Sequence, residues 1–106
     1  MIRIVALAAY TALALSAGPV QAQDISDLMK GAEIAQQICA QCHAVQGGQG
    51  QSPNPQAPTF ERVAKTPGMT SIALTAILRT SHRNMPNIIL PEDDQRHVIA
   101  YILTLK

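Results

Sequence analysis

The sequence contains no tryptophan, a single phenylalanine, two tyrosines and only two cysteines. So thin an aromatic inventory, without a basic stripe, excludes the stacking platforms and phosphate-tracking surfaces of a nucleic-acid binder. No stretch alternates with the period of two that a half-buried strand requires, and no internal repeat is visible, so an all-α chain is expected. The cysteines, Cys39 and Cys42, are too few for a disulfide framework. A bridge between them would close a tiny loop and restrain little of the unfolded chain. Yet 106 residues make one small domain. With few large side chains its core is small, and such domains commonly need a disulfide, a metal or a prosthetic group to hold them. The missing stabiliser is expected to be something that the two thiols hold.

The amino-terminal stretch reads as a leader. Arg3 gives a positive start, Ile4 to Leu15 is apolar apart from Tyr10 and Thr11, and Ser16, Gly18 and Pro19 end any helix. Val20-Gln21-Ala22 offers the small residues a signal peptidase needs, so cleavage is expected after Ala22, leaving 23–106 as the working domain. The apolar run is short against the roughly 20 residues that a spanning helix needs, which disfavours an uncleaved anchor. Removing Arg3 leaves the remaining Lys and Arg matched to seven Asp and Glu, for a formal charge of zero. Phe60 and Tyr101 are then the aromatic residues that remain.

Three main helices are expected within 23–106. Residues 25–40 carry Ile25, Leu28, Ala32, Ala35 and Ile38 or Cys39 at three- and four-residue steps, with Asp24 or Ser26 as cap. Gly31 sits in the middle, where it costs about 1 kcal/mol relative to Ala, so a close-packed neighbour is expected there. Residues 47–58 form a Gly- and Pro-rich loop, long enough for a small domain that a bound ligand is the natural reason for it. A short helical turn is expected over 59–65. A second clear helix runs from a Thr70 cap to about Thr80, with Ile72 or Ala73, Leu74, Ile77 and Leu78 facing inward. Residues 81–90 are irregular because Pro86 pushes Met85 towards extended angles. Pro91 opens the last helix, Glu92, Asp93 and Asp94 suit its positive end, and Val98, Tyr101, Ile102 and Leu105 form its inner stripe.

The informative run is Cys39-Ala40-Gln41-Cys42-His43. Two thiols at this spacing can each add to one vinyl group of a haem, and the adjacent histidine then reaches the iron from one face. A thioredoxin-like pair normally opens a helix within an α/β unit, whereas this one closes a helix in a chain without strands. A zinc site needs a fourth ligand, and no spacing favours His82 or His97 for it.

Candidates for the iron's other face are Met29, Met69, Met85, His82 and His97. Met29 lies on the first helix, too near the thiols in sequence. Met69 reads as a core filler, and His97, after the acidic turn, is expected to be exposed. Met85 sits in an unconstrained loop stiffened by Pro86 and is favoured, giving Met/His ligation that raises the potential and closes the iron to small molecules.

These features resemble the class I cytochrome c family of small monohaem Met/His carriers. The resemblance covers residues 27–105: Gly31 eight before Cys39, the C-x-x-C-H run, Ala57-Pro58, Asn84-Met85-Pro86 and Ala100-Tyr101-Ile102. It implies a small cytochrome c fold, three main helices with short helical turns and long loops wrapped round one covalent haem c. It also implies that Gly31 meets Tyr101 where the first and last helices cross, and that the Pro58 carbonyl accepts the second ring N–H of His43, raising the imidazole's donor strength. Cofactor-binding residues would then be Cys39, Cys42, His43, Pro58 and Met85, with His43 and Met85 on iron. Two features depart from the family: Ala35 stands where a large aromatic is usual, and there is no Trp to bond a haem propionate. Arg62, Arg79, His82 and Arg83 are left as propionate candidates, and the cluster Arg79, His82 and Arg83 as a steering patch for an acidic partner.

The expected function is exported, non-enzymatic single-electron transfer by Fe(III)/Fe(II) cycling. Leu74, Ile77, Leu78, Ile88 and Leu90 would form an apolar sleeve round the ring. The protein is expected in the periplasm, without stable membrane insertion once the leader is removed. It would be a monomer or one subunit of a redox complex, with redox proteins as partners. Competing expectations are a haem subunit or dedicated acceptor of a periplasmic dehydrogenase or oxidase, a ligand-binding or peroxidatic haem protein, and a thiol–disulfide module.

Overall fold

Local sequence signals place most of the helices. In the computed structural model, which describes residues 20–80 and 84–106, the described residues form α-helices and connecting loops with no strand. The expected leader and the His82–Arg83 cluster lie outside or almost wholly outside these residues. Helix α1 spans Val20–Ile34, beginning upstream of the caps expected at Asp24 and Ser26. It does not continue as an α-helix to residue 40. Ala35–Cys39 forms a π-helical turn in which Ala40 N–H reaches back five residues to the Ala35 carbonyl at 2.9 Å. The extra residue in that turn rotates everything after it relative to α1.

Helix α2, Phe60–Ala64, is capped by Thr59, whose hydroxyl accepts the Arg62 N–H. Helix α3, Ser71–Arg79, is capped in the same way by Thr70 from the Ala73 N–H. Each threonine satisfies one of the donors that a helix start leaves without a partner. Helix α4, Glu92–Leu103, has Pro91 at its cap position, one residue earlier than expected, with three acids in its first turn.

Helix α4 is the central element, packed against α1, α2 and α3. The largest contact is its crossing with α1 at Gly31. A β-carbon at Gly31 would lie 2.1 Å from the His97 carbonyl oxygen and 2.8 Å from Tyr101 Cβ. Only a bare backbone permits this approach, which accounts for the costly mid-helix glycine. The crossing also selects the buried face of α1. Gly31, Ile34 and Ala35 are buried, while Ile25 is 59 % exposed. The expected stripe is therefore displaced, because α4 sits on the glycine and not on Ala32.

The core comprises Ile34, Ala35, Val45, Phe60, Ala64, Leu74, Val98, Ile99 and Ile102. Val98, at 1 % exposure, is its best-covered large side chain. Burying such a side chain contributes about 1.5–3 kcal/mol. On α4, Val98 and Ile102 face inward as expected and Ile99 joins them, while Leu105 follows the helix end. On α3, Leu74 is buried, whereas Ile72 is 82 % exposed and does not belong to the inner face.

Candidate functional site

The π turn delivers the thiols. Cys42 and His43 N–H both reach the Cys39 carbonyl, at 3.2 and 2.9 Å, so the chain coils tightly from one cysteine through the other to the histidine. Both thiols are free and half-buried. Burial pushes the Cys39 thiol above its ordinary range, so it stays protonated at neutral pH. Neither cysteine opens a helix, the position that a thioredoxin-like redox pair takes.

The loop after His43 is pinned to this turn. Asn54 N–H donates to the Cys42 carbonyl at 3.1 Å, Ala44 N–H to Ser52 Oγ at 3.0 Å, and Phe60 N–H to the Ala44 carbonyl at 2.9 Å. These bonds bring Pro58 back over the histidine, and His43 Nδ1 lies 2.7 Å from the Pro58 carbonyl oxygen. A carbonyl only accepts, so Nδ1 carries the proton in this contact, and Nε2 is the nitrogen left to act as a metal ligand. The imidazole is further held by Phe60, with ring centroids 5.4 Å apart. Phe60 is 6 % exposed and ties the site to the core. Its contact with His43 had no local sequence signal beyond its following Pro58 and Thr59. At the loop's far end, Gly48 adopts φ +79° and donates its N–H to Glu61 Oε2 at 3.0 Å. Lys65, more than Gly48, holds the Glu61 carboxyl below the usual carboxylate range.

Met85 is half-buried in the irregular segment that leads into α4. Asn84, just before it, has φ +56° and donates from Nδ2 to Gln56 Oε1 at 3.3 Å. This bond joins the Met85 segment to the loop that carries Pro58. Of the other iron candidates, Met29 is 69 % exposed on α1 and Met69 packs against the core. His97 is not exposed as expected: it is half-buried at the helix crossing, with Nε2 3.3 Å from Asp27 Oδ1. The close approach at Gly31 draws its part of α4 onto α1. Among the propionate candidates, Arg79 is engaged, donating from Nε to Gln95 Oε1 at 3.0 Å, and Arg62 is exposed.

A haem c fits this donor set. Two free thiols flank a turn that ends in an imidazole with one nitrogen fixed and the other available for iron. Ile77 remains 36 % exposed, and Ile88 and Leu90 are half-buried, leaving apolar surface for a ring on α3 and the Met85 segment. The open hollow of about 490 Å³ beside His43 is less suitable, because Gln36, Gln49, Gln51 and Ser52 line it. Among the described residues, no three His, Cys, Asp or Glu side chains converge as a bare metal ion would require. No helix among them is long and apolar enough to cross a membrane.

Comparison with known proteins gives two matches. The family described as cytochrome C oxidase, cbb3-type, subunit III matches residues 26–102. Cytochrome c-552 of Bradyrhizobium diazoefficiens is 33 % identical over 81 residues, covering 76 % of this chain and 77 % of that protein. No solved structure matches.

Proposed function

The chain belongs to the cytochrome family described as cytochrome C oxidase, cbb3-type, subunit III, and from that membership we propose that it is an exported one-electron carrier working through the Cys39–His43 turn. It is a small monohaem c-type cytochrome, an electron carrier with covalently bound haem c. When bound, haem c supplies an Fe(III)/Fe(II) couple.

The chain's own residues have distinct tasks. Cys39 and Cys42 would hold haem c through thioether bonds, each thiol adding across a vinyl group so that no leaving group is needed. His43 would bind iron through Nε2, and Pro58 holds the ring by accepting from Nδ1, which fixes the tautomer and would strengthen the donor. Met85 would supply the second protein ligand to the iron. With His43 and Met85 both on the iron, small molecules would be kept from it and no catalytic turnover is expected. Residues 1–22 direct export and are removed, and the working domain lies in the periplasm. It docks briefly with other redox proteins through a small contact at the exposed haem edge.

The observation that carries this reading is the 2.7 Å contact between the Pro58 carbonyl and Nδ1 of His43, the imidazole that ends the turn presenting both thiols. The test is a visible spectrum of the reduced protein with and without carbon monoxide, together with a pyridine haemochrome assay. Expected are a thioether-linked haem and a reduced spectrum that carbon monoxide alters only slowly at neutral pH. A protein of unmodified mass from a host able to mature c-type cytochromes would overturn it.

The family description favours a second reading, a haem-bearing subunit or dedicated electron acceptor of an oxidase or dehydrogenase. The same site would then serve one obligate partner. Co-purification of that partner from the native source separates the two.

A further inference from the structure

We propose that Asn84 and Gln56 form a tether that positions Met85 on the iron and sets how readily that ligand lets go. The inference rests on Met85 being the axial ligand. Asn84 is the only non-glycine with positive φ among the described residues. Asparagine tolerates this left-handed conformation better than most residues, and here it turns the chain immediately before Met85. Pro86 restricts Met85 from the other side. The backbone of the ligand is thus bracketed by two conformational locks.

The side chain of Asn84 adds a long-range restraint. Its Nδ2 donates to Gln56 Oε1 at 3.3 Å, across 28 residues of sequence. Gln56 is itself anchored: its N–H donates to Asn54 Oδ1 at 3.0 Å, and Asn54 N–H donates to the Cys42 carbonyl at 3.1 Å. Pro58, two residues beyond Gln56, accepts from His43 at 2.7 Å. A continuous chain of hydrogen bonds therefore runs from the thiol-bearing turn, through the loop that orients the histidine, to the residue preceding the methionine. The supports of the two axial ligands are joined to each other, and Gln56 and Asn84 act as positioning residues through that joint. Both are exposed, so they can be altered without opening the core.

The test measures carbon monoxide binding to the reduced holoprotein, with the midpoint potential as a second readout. M85A is expected to open the iron to carbon monoxide. Q56L and N84G are expected to bind it about three- to ten-fold faster than wild type, the equivalent of losing one neutral hydrogen bond. N84G retains the left-handed turn, so N84A, which loses both turn and tether, is expected to exceed it. Q56E restores an acceptor for Asn84 Nδ2 and is expected to return the rate towards wild type. If M85A leaves spectrum and carbon monoxide binding unchanged, the ligation reading falls and the tether with it. If M85A opens the iron but Q56L and N84G bind as slowly as wild type, the tether alone is overturned. A contact that only stabilised the loop would lower the denaturation midpoint without changing the binding rate.

Discussion

Replacing Gly31 with alanine adds one methyl group where the backbone of α4 leaves no room for it. The new Cβ would lie 2.1 Å from the His97 carbonyl oxygen, 2.7 Å from its carbon and 2.8 Å from Tyr101 Cβ. Two of these are backbone atoms, so no rotamer change relieves the clash, and α1 and α4 must separate by roughly 1 Å to restore ordinary contact. Overpacking of this kind costs about 1–3 kcal/mol, and a backbone clash belongs at the upper end. Separation also strains the packing of Ile34, Val98 and Ile102, and the bond from Tyr101 Oη to the Val45 carbonyl at 2.6 Å, worth about 1 kcal/mol. Against this, alanine gains about 1 kcal/mol in helix propensity. The expected balance is about 2–3 kcal/mol of destabilisation. The assay is urea denaturation of the holoprotein. With a slope near 1 kcal/mol/M, as suits a small domain, the midpoint should fall by about 2 M or more. I72A, at a site 82 % exposed on α3, is the control and should stay within about 0.5 kcal/mol. A G31A protein as stable as wild type, or more stable, would refute the close crossing.

Other substitutions probe the site and its supports. Y101F leaves the Val45 carbonyl without its donor and should cost about 1–2 kcal/mol in the same assay. C39S and C42S should each leave a single thioether, and the double variant should lose all haem on acid–acetone extraction, read by mass. F60A removes a core side chain that also packs on His43, and should cost about 3–5 kcal/mol with a changed reduced spectrum. Glu61 provides a pH test. Its carboxyl is held low in the folded state, first by Lys65 and then by Gly48 N–H, so its contribution is complete above the usual carboxylate range near pH 4. That contribution is lost as the pH falls through the lowered folded value, and the stability difference between wild type and E61Q should shrink over that acidic interval.

Short-range signals were legible where the responsible atoms lie within a few residues. Thr70 caps the helix it precedes, and Glu92, Asp93 and Asp94 open α4, because such end effects act between neighbours. The C-x-x-C-H run was legible for the same reason, since one turn of chain presents both thiols and the imidazole. The face of α1 was misjudged because a strip of apolar residues does not reveal which member a second helix will cover. Gly31 drew α4 onto itself and left Ile25 outside. His97 was misread in turn, because its acidic neighbours in sequence do not reveal Asp27, which faces it from α1. The π turn at Ala35 has no residue signature and arises where helix, thiols and core must meet in register.

The amino-acid order alone determined that the chain would be helical, where α2, α3 and α4 would begin, and that two thiols and a histidine would share one turn. Spacing and capping are covalently local, and they act before any long-range contact has formed. Tertiary structure decided what those groups face: which side of α1 is buried, that Tyr101 reaches Val45 across 56 residues, and that Asn84 meets Gln56. Such pairs are set by competition among all surfaces for burial and among all polar groups for partners, and no short stretch of sequence contains that competition.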